Sequence, residues 1–157
     1  MEEFLRRRVL TPDKIFRFPL LRPEDYKVTS LDDGYYNCAS WAIGEGITSE
    51  RYDPTDNKAT WPSTLQRDTK LETFVRLYIE FFGFELCSLG NHEAGFVKLA
   101  IYSDKNMQFT HVARQLPSGK WTSKLGDWED IEHATPECLQ SGLYGKVRTF
   151  LKKPITK

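Results

Sequence analysis

Between Leu71 and Phe82 the apolar residues fall at helical spacing. Leu71, Phe74, Val75, Tyr78, Ile79 and Phe82 make one stripe. Thr69 and Glu72 stand before and within it as a T-x-x-E capping box, and Gly83 is placed to end it. A helix is predicted there. The spacing then changes to the shorter runs of strands. Phe84–Ser88 and Val97–Tyr102 read as strands on either side of a Gly90–Gly95 loop, and Ser103–Asn106 is turn chemistry. Gln108–Leu116 and Lys120–Leu125 read as two strands joined through Pro117-Ser118-Gly119, a hairpin. Past Gly126, a helix is expected to start near Thr135-Pro136-Glu137, and a second short one over Leu143–Leu151.

The first third of the chain is less periodic. Residues 1–34 carry Pro12, Pro19 and Pro23 among short apolar groups, with room for a short helix near Pro12–Phe16, and read as an arm lying over the core. Asp32-Asp33-Gly34 is a turn. Asn37 is a good N-cap, and Ala39, Trp41, Ala42 and Ile43 continue a short helix that stops near Gly44 or Gly46, which makes Cys38 its first residue. A polar loop runs from Thr48 to Pro62. With helices early and strands late, the expected class is α+β. A cysteine-bearing helix and a second helix pack on a small antiparallel sheet, with residues 35–157 as one domain behind the 1–34 arm.

Composition narrows the choices. The chain has 157 residues with 39% hydrophobic and 13% aromatic content, enough for a packed core of one domain. Lys plus Arg equals Asp plus Glu at 22 each, so no net field draws it to nucleic acid or an anionic membrane. Arg6-Arg7-Arg8 precedes no apolar run of a secretory signal, and no stretch approaches the roughly 18 apolar residues of a membrane span. Cys38, Cys87 and Cys138 are odd in number and form no C-x-x-C pair, which argues against a disulfide scaffold or a zinc ribbon. A reducing compartment, the cytoplasm, is the expected location. No metal and no cofactor are expected.

Cys38 is the most informative position. A thiol at a helix N-terminus feels the positive end of the dipole, which favours the thiolate. Its backbone N–H, with the Asn37 side chain, is placed to receive an oxyanion. A thiolate nucleophile needs a base, and His111, in the strand Thr110-His111-Val112-Ala113-Arg114, is the candidate. A third group orients the imidazole. A three-residue hairpin loop sets Ala113 opposite Ser123, so that Ser123 lies diagonal to His111 on its face; a two-residue loop brings Lys124 into phase instead. Asp127, just past the strand, is the stronger acceptor. Of the tryptophans, Trp41 and Trp121 suit the core, and Trp61 and Trp128 suit a groove.

Asn37-Cys38-Ala39-Ser40-Trp41-Ala42 resembles the cysteine-helix entry of papain-like proteins. His111-Val112-Ala113, a hairpin turn and Trp121–Gly126 resemble the histidine-strand region of bacterial papain-like hydrolases, among them cell-wall amidases and endopeptidases. Glu93–Tyr102, His111–Leu116 and Trp121–His133 also resemble the pattern of an uncharacterised bacterial domain family. The resemblance implies a papain-like fold with Cys38 as nucleophile and His111 as base. It further implies a peptide, protein or small amide substrate. Ser123 departs from the His, Asn, Asp or Gln usual at the third position. The alternative expectation is a catalytically inactive module of the same fold, binding protein or peptide in a groove between Trp61 and Trp128.

Overall fold

The computed structural model describes residues 9–31, 33–44 and 49–155. Its centre is one antiparallel sheet of seven strands in the order β1-β6-β5-β4-β3-β7-β2. In chain order the elements are α1 (Pro12–Ile15), β1 (Tyr26–Val28), α2 (Cys38–Trp41), α3 (Leu71–Phe82), β2 (Glu85–Cys87), β3 (Phe96–Ser103), β4 (Phe109–Gln115), β5 (Trp121–Lys124), β6 (Asp130–His133) and β7 (Lys146–Pro154). Single 3-10 turns at Pro23–Asp25 and Glu137–Leu139 complete them. The α+β class and the antiparallel sheet agree with the sequence reading. The sheet is wider than the small one expected.

Both faces of the sheet are covered, and side-chain alternation assigns each residue its layer. Leu99 and Ile101 of β3, Val112 of β4 and Leu151 of β7 turn to one face, where α2 and α3 bring Ala39, Ala42, Phe74, Leu77 and Tyr78. Ala100, Tyr102, Ala113, Trp121 and Ile131 turn to the other, covered by Leu10, Phe18 and Leu21 of the N-terminal segment with Leu139 and Tyr144. This double burial explains why Leu99–Tyr102 of β3 reads as an apolar run rather than as an alternation. The N-terminal segment also supplies β1, which pairs with β6 through Tyr26↔His133 and Val28↔Ile131.

Two bulges break the alternation. On β4, Tyr102 faces His111 and Ser103 faces Phe109, which leaves Thr110 as the extra residue. On β7, Ile101 faces Thr149 and Tyr102 faces Val147, which leaves Arg148 extra. The β4–β5 hairpin takes the three-residue form, with Leu116 N–H bonded to the Lys120 carbonyl at 2.7 Å and Arg114 opposite Thr122. Ala113 therefore opposes Ser123, and the register that would have favoured Lys124 is not adopted.

Three local expectations are corrected. The α3 stripe is helical and Gly83 ends it in the left-handed conformation (φ 78°), but the N-cap is Lys70 and Thr69 forms no capping box. The Thr69 hydroxyl is instead bonded to Gln108 at 2.6 Å, which ties the helix entry to the start of β4. Leu143–Leu151 is not a helix but the turn into β7, because Val147, Thr149, Phe150 and Leu151 find strand partners on β3. Only the 3-10 turn Glu137–Leu139 forms near Thr135. A Cβ on Gly145 (φ 70°) would fall 2.0 Å from the Ser103 carbonyl oxygen, so only glycine fits at the entry to β7. The predicted α2 stop at Gly46 lies outside the described residues.

Candidate functional site

Helix α2 begins as the sequence predicts. Asn37 Oδ1 accepts from the Ser40 N–H (3.1 Å), and Ser40 Oγ accepts from the Asn37 N–H (3.0 Å), a reciprocal capping box. The Asn37 amide also donates to the Tyr52 carbonyl at 3.0 Å, so its side chain is committed to structure. Tyr78 of α3 donates to the Ala39 carbonyl at 2.8 Å and pins the helix from behind. Cys38 is the first helical residue, half-buried, with its sulfur against the Val112 backbone of β4. Burial pushes its thiol up to about 11, against the opposing pull of nearby N–H groups and the Arg51 charge. In this site desolvation outweighs the short helix's dipole.

His111 lies on the other side of the same strand. Alternation from Val112 turns it away from α2 and into the core that holds Tyr102 and Tyr144, where it stacks on Tyr144 at 4.2 Å and 3°. The structure brings His111 and Ser123 together, Nε2 to Oγ at 2.9 Å, and adds His133, which was not among the candidate orienters. Ser123 Oγ also meets His133 Nε2 at 2.8 Å. All three residues are fully enclosed.

The hydrogen-bond roles in this array are determined by its outer end. His133 Nδ1 faces the Thr135 carbonyl at 2.8 Å, so it carries the proton. Neutral His133 then accepts from the Ser123 hydroxyl at Nε2, and the serine oxygen accepts in turn from His111 Nε2–H. His111 Nδ1 is left as a bare acceptor without a partner among the described residues. The neutral state is enforced by burial, which takes His133 down to about 4 and His111 well below its ordinary value of 6.5. Cys138 closes the array, its thiol donating to the Thr135 carbonyl at 2.9 Å.

The other sequence-selected residues disperse. Asp127 is exposed and accepts from Arg51 at 2.8 Å, so it does not orient an imidazole. Lys124 is buried on the α2 face, donating to the Trp128 carbonyl with its ammonium 5.0 Å from the Tyr36 ring centre. Burial lowers its pKa and raises that of Asp130, which accepts from the Tyr36 hydroxyl at 2.6 Å. Trp61 is core, 8% exposed, with its indole N–H on the Gln66 carbonyl and its ring against Phe74. Trp128 packs on the opposite layer beneath Lys14. No groove joins these two rings. Tyr36, Asp130 and Tyr144 are the polar residues that sequence reasoning passed over. Asp130 and Glu129 look like solvated charges, yet are 2% and 0% exposed.

The molecule is thus an antiparallel α+β domain with the half-buried Cys38 thiol and a buried imidazole array on opposite sides of a single strand. The chain belongs to the family described as domain of unknown function DUF7689, whose model matches residues 27–152, from β1 into β7. No curated protein and no solved structure matches it.

Proposed function

We propose that this domain works by binding a peptide or protein and not by thiol chemistry, on a papain-like arrangement whose cysteine and histidine no longer meet. The observation that carries the reading is the division of the pair by β4. Cys38 approaches from the Val112 side, and His111 projects among Tyr102, Tyr144 and Ser123. A cysteine hydrolase needs the imidazole within hydrogen-bond reach of the sulfur, and a thiolate or a thiol poised to become one. Here burial favours the neutral thiol and the neutral imidazole alike. What supports the papain-like part is the order of a helix that opens on a cysteine followed by antiparallel strands, with α2 lying on β4 and β5. Three free thiols support a reducing location such as the cytoplasm, and no described helix is long and apolar enough to cross a membrane.

The test is the pH profile of iodoacetamide labelling at Cys38, resolved from Cys87 and Cys138 by peptide mapping, in the native chain and in His111→Gln. Labelling that rises only in alkaline solution and does not depend on His111 is the expected result. Rapid labelling near neutrality that is lost in His111→Gln would restore the hydrolase reading.

A further inference from the structure

The open edge of β7 offers the binding surface that the tryptophans do not. β2 covers β7 only at Phe150, Leu151 and Lys152, whereas β3 pairs with it from Lys146 to Pro154. Along residues 146–149 the strand has β3 on one side and, among the described residues, no strand on the other. The Val147 N–H is met instead by the Gln140 side chain at 3.0 Å, an acceptor standing where a strand's carbonyl would be. Three cavities converge on this stretch. One of about 460 Å³ lies on the edge itself between Leu86 and Arg148. A second of about 460 Å³ opens on the helix face beside Val75, Met107 and Thr149. The third, about 630 Å³, opens past Pro19 and Leu20 beside Lys105, Lys146 and Arg148.

Resting on the reading of the domain as a binding module, we propose that this edge takes up an extended peptide of alternating acidic and apolar residues as an eighth strand. The two flanks of the edge differ in the way an added strand requires. On the α3 side Val75, Leu71 and Met107, the last 49% exposed, line the cavity with Lys70 and Glu72, one charge of each sign. On the other side, exposed Lys105, Lys146 and Arg148 line one cleft, and neither lysine makes an ion pair among the described residues. Arg148 is anchored by its Nε to Ser103 Oγ at 3.0 Å, which holds the bulged guanidinium at the rim. The one carboxylate in that cleft, Asp104, already accepts from the Asn106 and Gln108 N–H groups at 2.9 and 3.0 Å. A strand alternates its side chains between two faces, so apolar residues of the guest meet the Met107 side while acidic ones meet the cations. The same cations repel a second copy of β7, so the edge discriminates between an acidic strand and itself.

The experiment is fluorescence anisotropy with two short labelled peptides, alternating glutamate and valine or alternating lysine and valine, against the full chain. Amide hydrogen exchange is followed in parallel. The glutamate peptide is expected to bind, to weaken with added salt, and to protect backbone amides within 146–149. Lys146→Glu with Arg148→Glu is expected to lower its affinity about tenfold or more and to favour the lysine peptide. Val147→Pro, which removes an outward N–H and leaves the β3 side paired, is expected to weaken both peptides. Equal binding of the two peptides, protection elsewhere, or no binding at all would overturn the assignment. The reading as a non-catalytic module is judged separately by the Cys38 labelling profile, so the two can fail independently.

Discussion

Phe109 and His111 are two residues apart on one strand and face opposite layers of the molecule. Phe109 stacks on Phe74 of α3 with ring centres 3.7 Å apart, and His111 stacks on Tyr144 in the other core. In an unbroken strand residues two apart share a face. Thr110, the extra residue of the bulge, separates them, its hydroxyl bonded to the Tyr144 carbonyl. One inserted position thereby sends Phe109 to the α3 core, while His111 keeps the face that alternation with Val112 gives it.

Ser123 is the shared hydroxyl of two buried imidazoles, and its loss leaves an acceptor and a donor unpaired in the core. Ser123→Ala is expected to cost about 2–4 kcal/mol of folding stability, taking roughly 1–3 kcal/mol for each orphaned buried group with partial overlap. Urea unfolding at neutral pH measures it. A change below about 0.5 kcal/mol would mean that the array is not formed.

Acid should weaken the fold well before the carboxylates titrate. His133 falls to about 4 in the folded chain from an ordinary 6.5, so the unfolded chain takes up the proton first. Stability is complete above pH 6.5, declines as the pH falls from there, and levels off below about 4. The loss from this group is of order 3 kcal/mol at most, and His111, shifted in the same direction, adds to it. Urea midpoints collected between these limits are expected to fall with pH, and His133→Gln to flatten the slope.

Gly145→Ala meets two obstacles at once, a positive φ and a backbone oxygen 2.0 Å from the new Cβ. A loss of about 3 kcal/mol or failure to fold is expected. Substituting Gly142, where nothing lies within 4 Å, is the control and should shift the melting temperature little.

Tyr78→Phe removes the single hydroxyl that ties α3 to the Ala39 carbonyl in a fully buried setting. A loss of about 1–2 kcal/mol is expected, together with faster Cys38 alkylation as the loosened α2 admits the reagent. Unchanged labelling would show that α2 is held by its cap alone.

What the sequence made legible is what local chemistry decides. The Asn37 cap, the α3 stripe, the Gly83 stop and the presence of the β4–β5 hairpin follow from neighbours along the chain; local chemistry allows two loop lengths, and the three-residue one adopted sets Ser123 diagonal to His111. The facing of Phe109 depends on a bulge that no spacing announces. Strand β6 is hidden because Asp130 and Glu132 stand in it, and Asp130 is satisfied in part by Tyr36, ninety-four positions away. β7 read as a helix because its partner is β3, far back in the chain, and local propensity was left to decide alone. The layers that Cys38 and His111 enter were hidden for the same reason. Residue type placed a cysteine at a helix start and a histidine on a strand, but the layer each enters is set by long-range register.

Strand β7, the seventh in chain order, sits between β3 and β2. On the ribosome, β2 therefore emerges without a hydrogen-bonded neighbour and stays so until β7 has been synthesised and threaded into place. The sheet is finished from its interior, by the last of the described strands, and until then β3 presents a bare edge on that side. Such late, non-local closure predicts slow folding and a nascent chain that depends on chaperone cover during that interval.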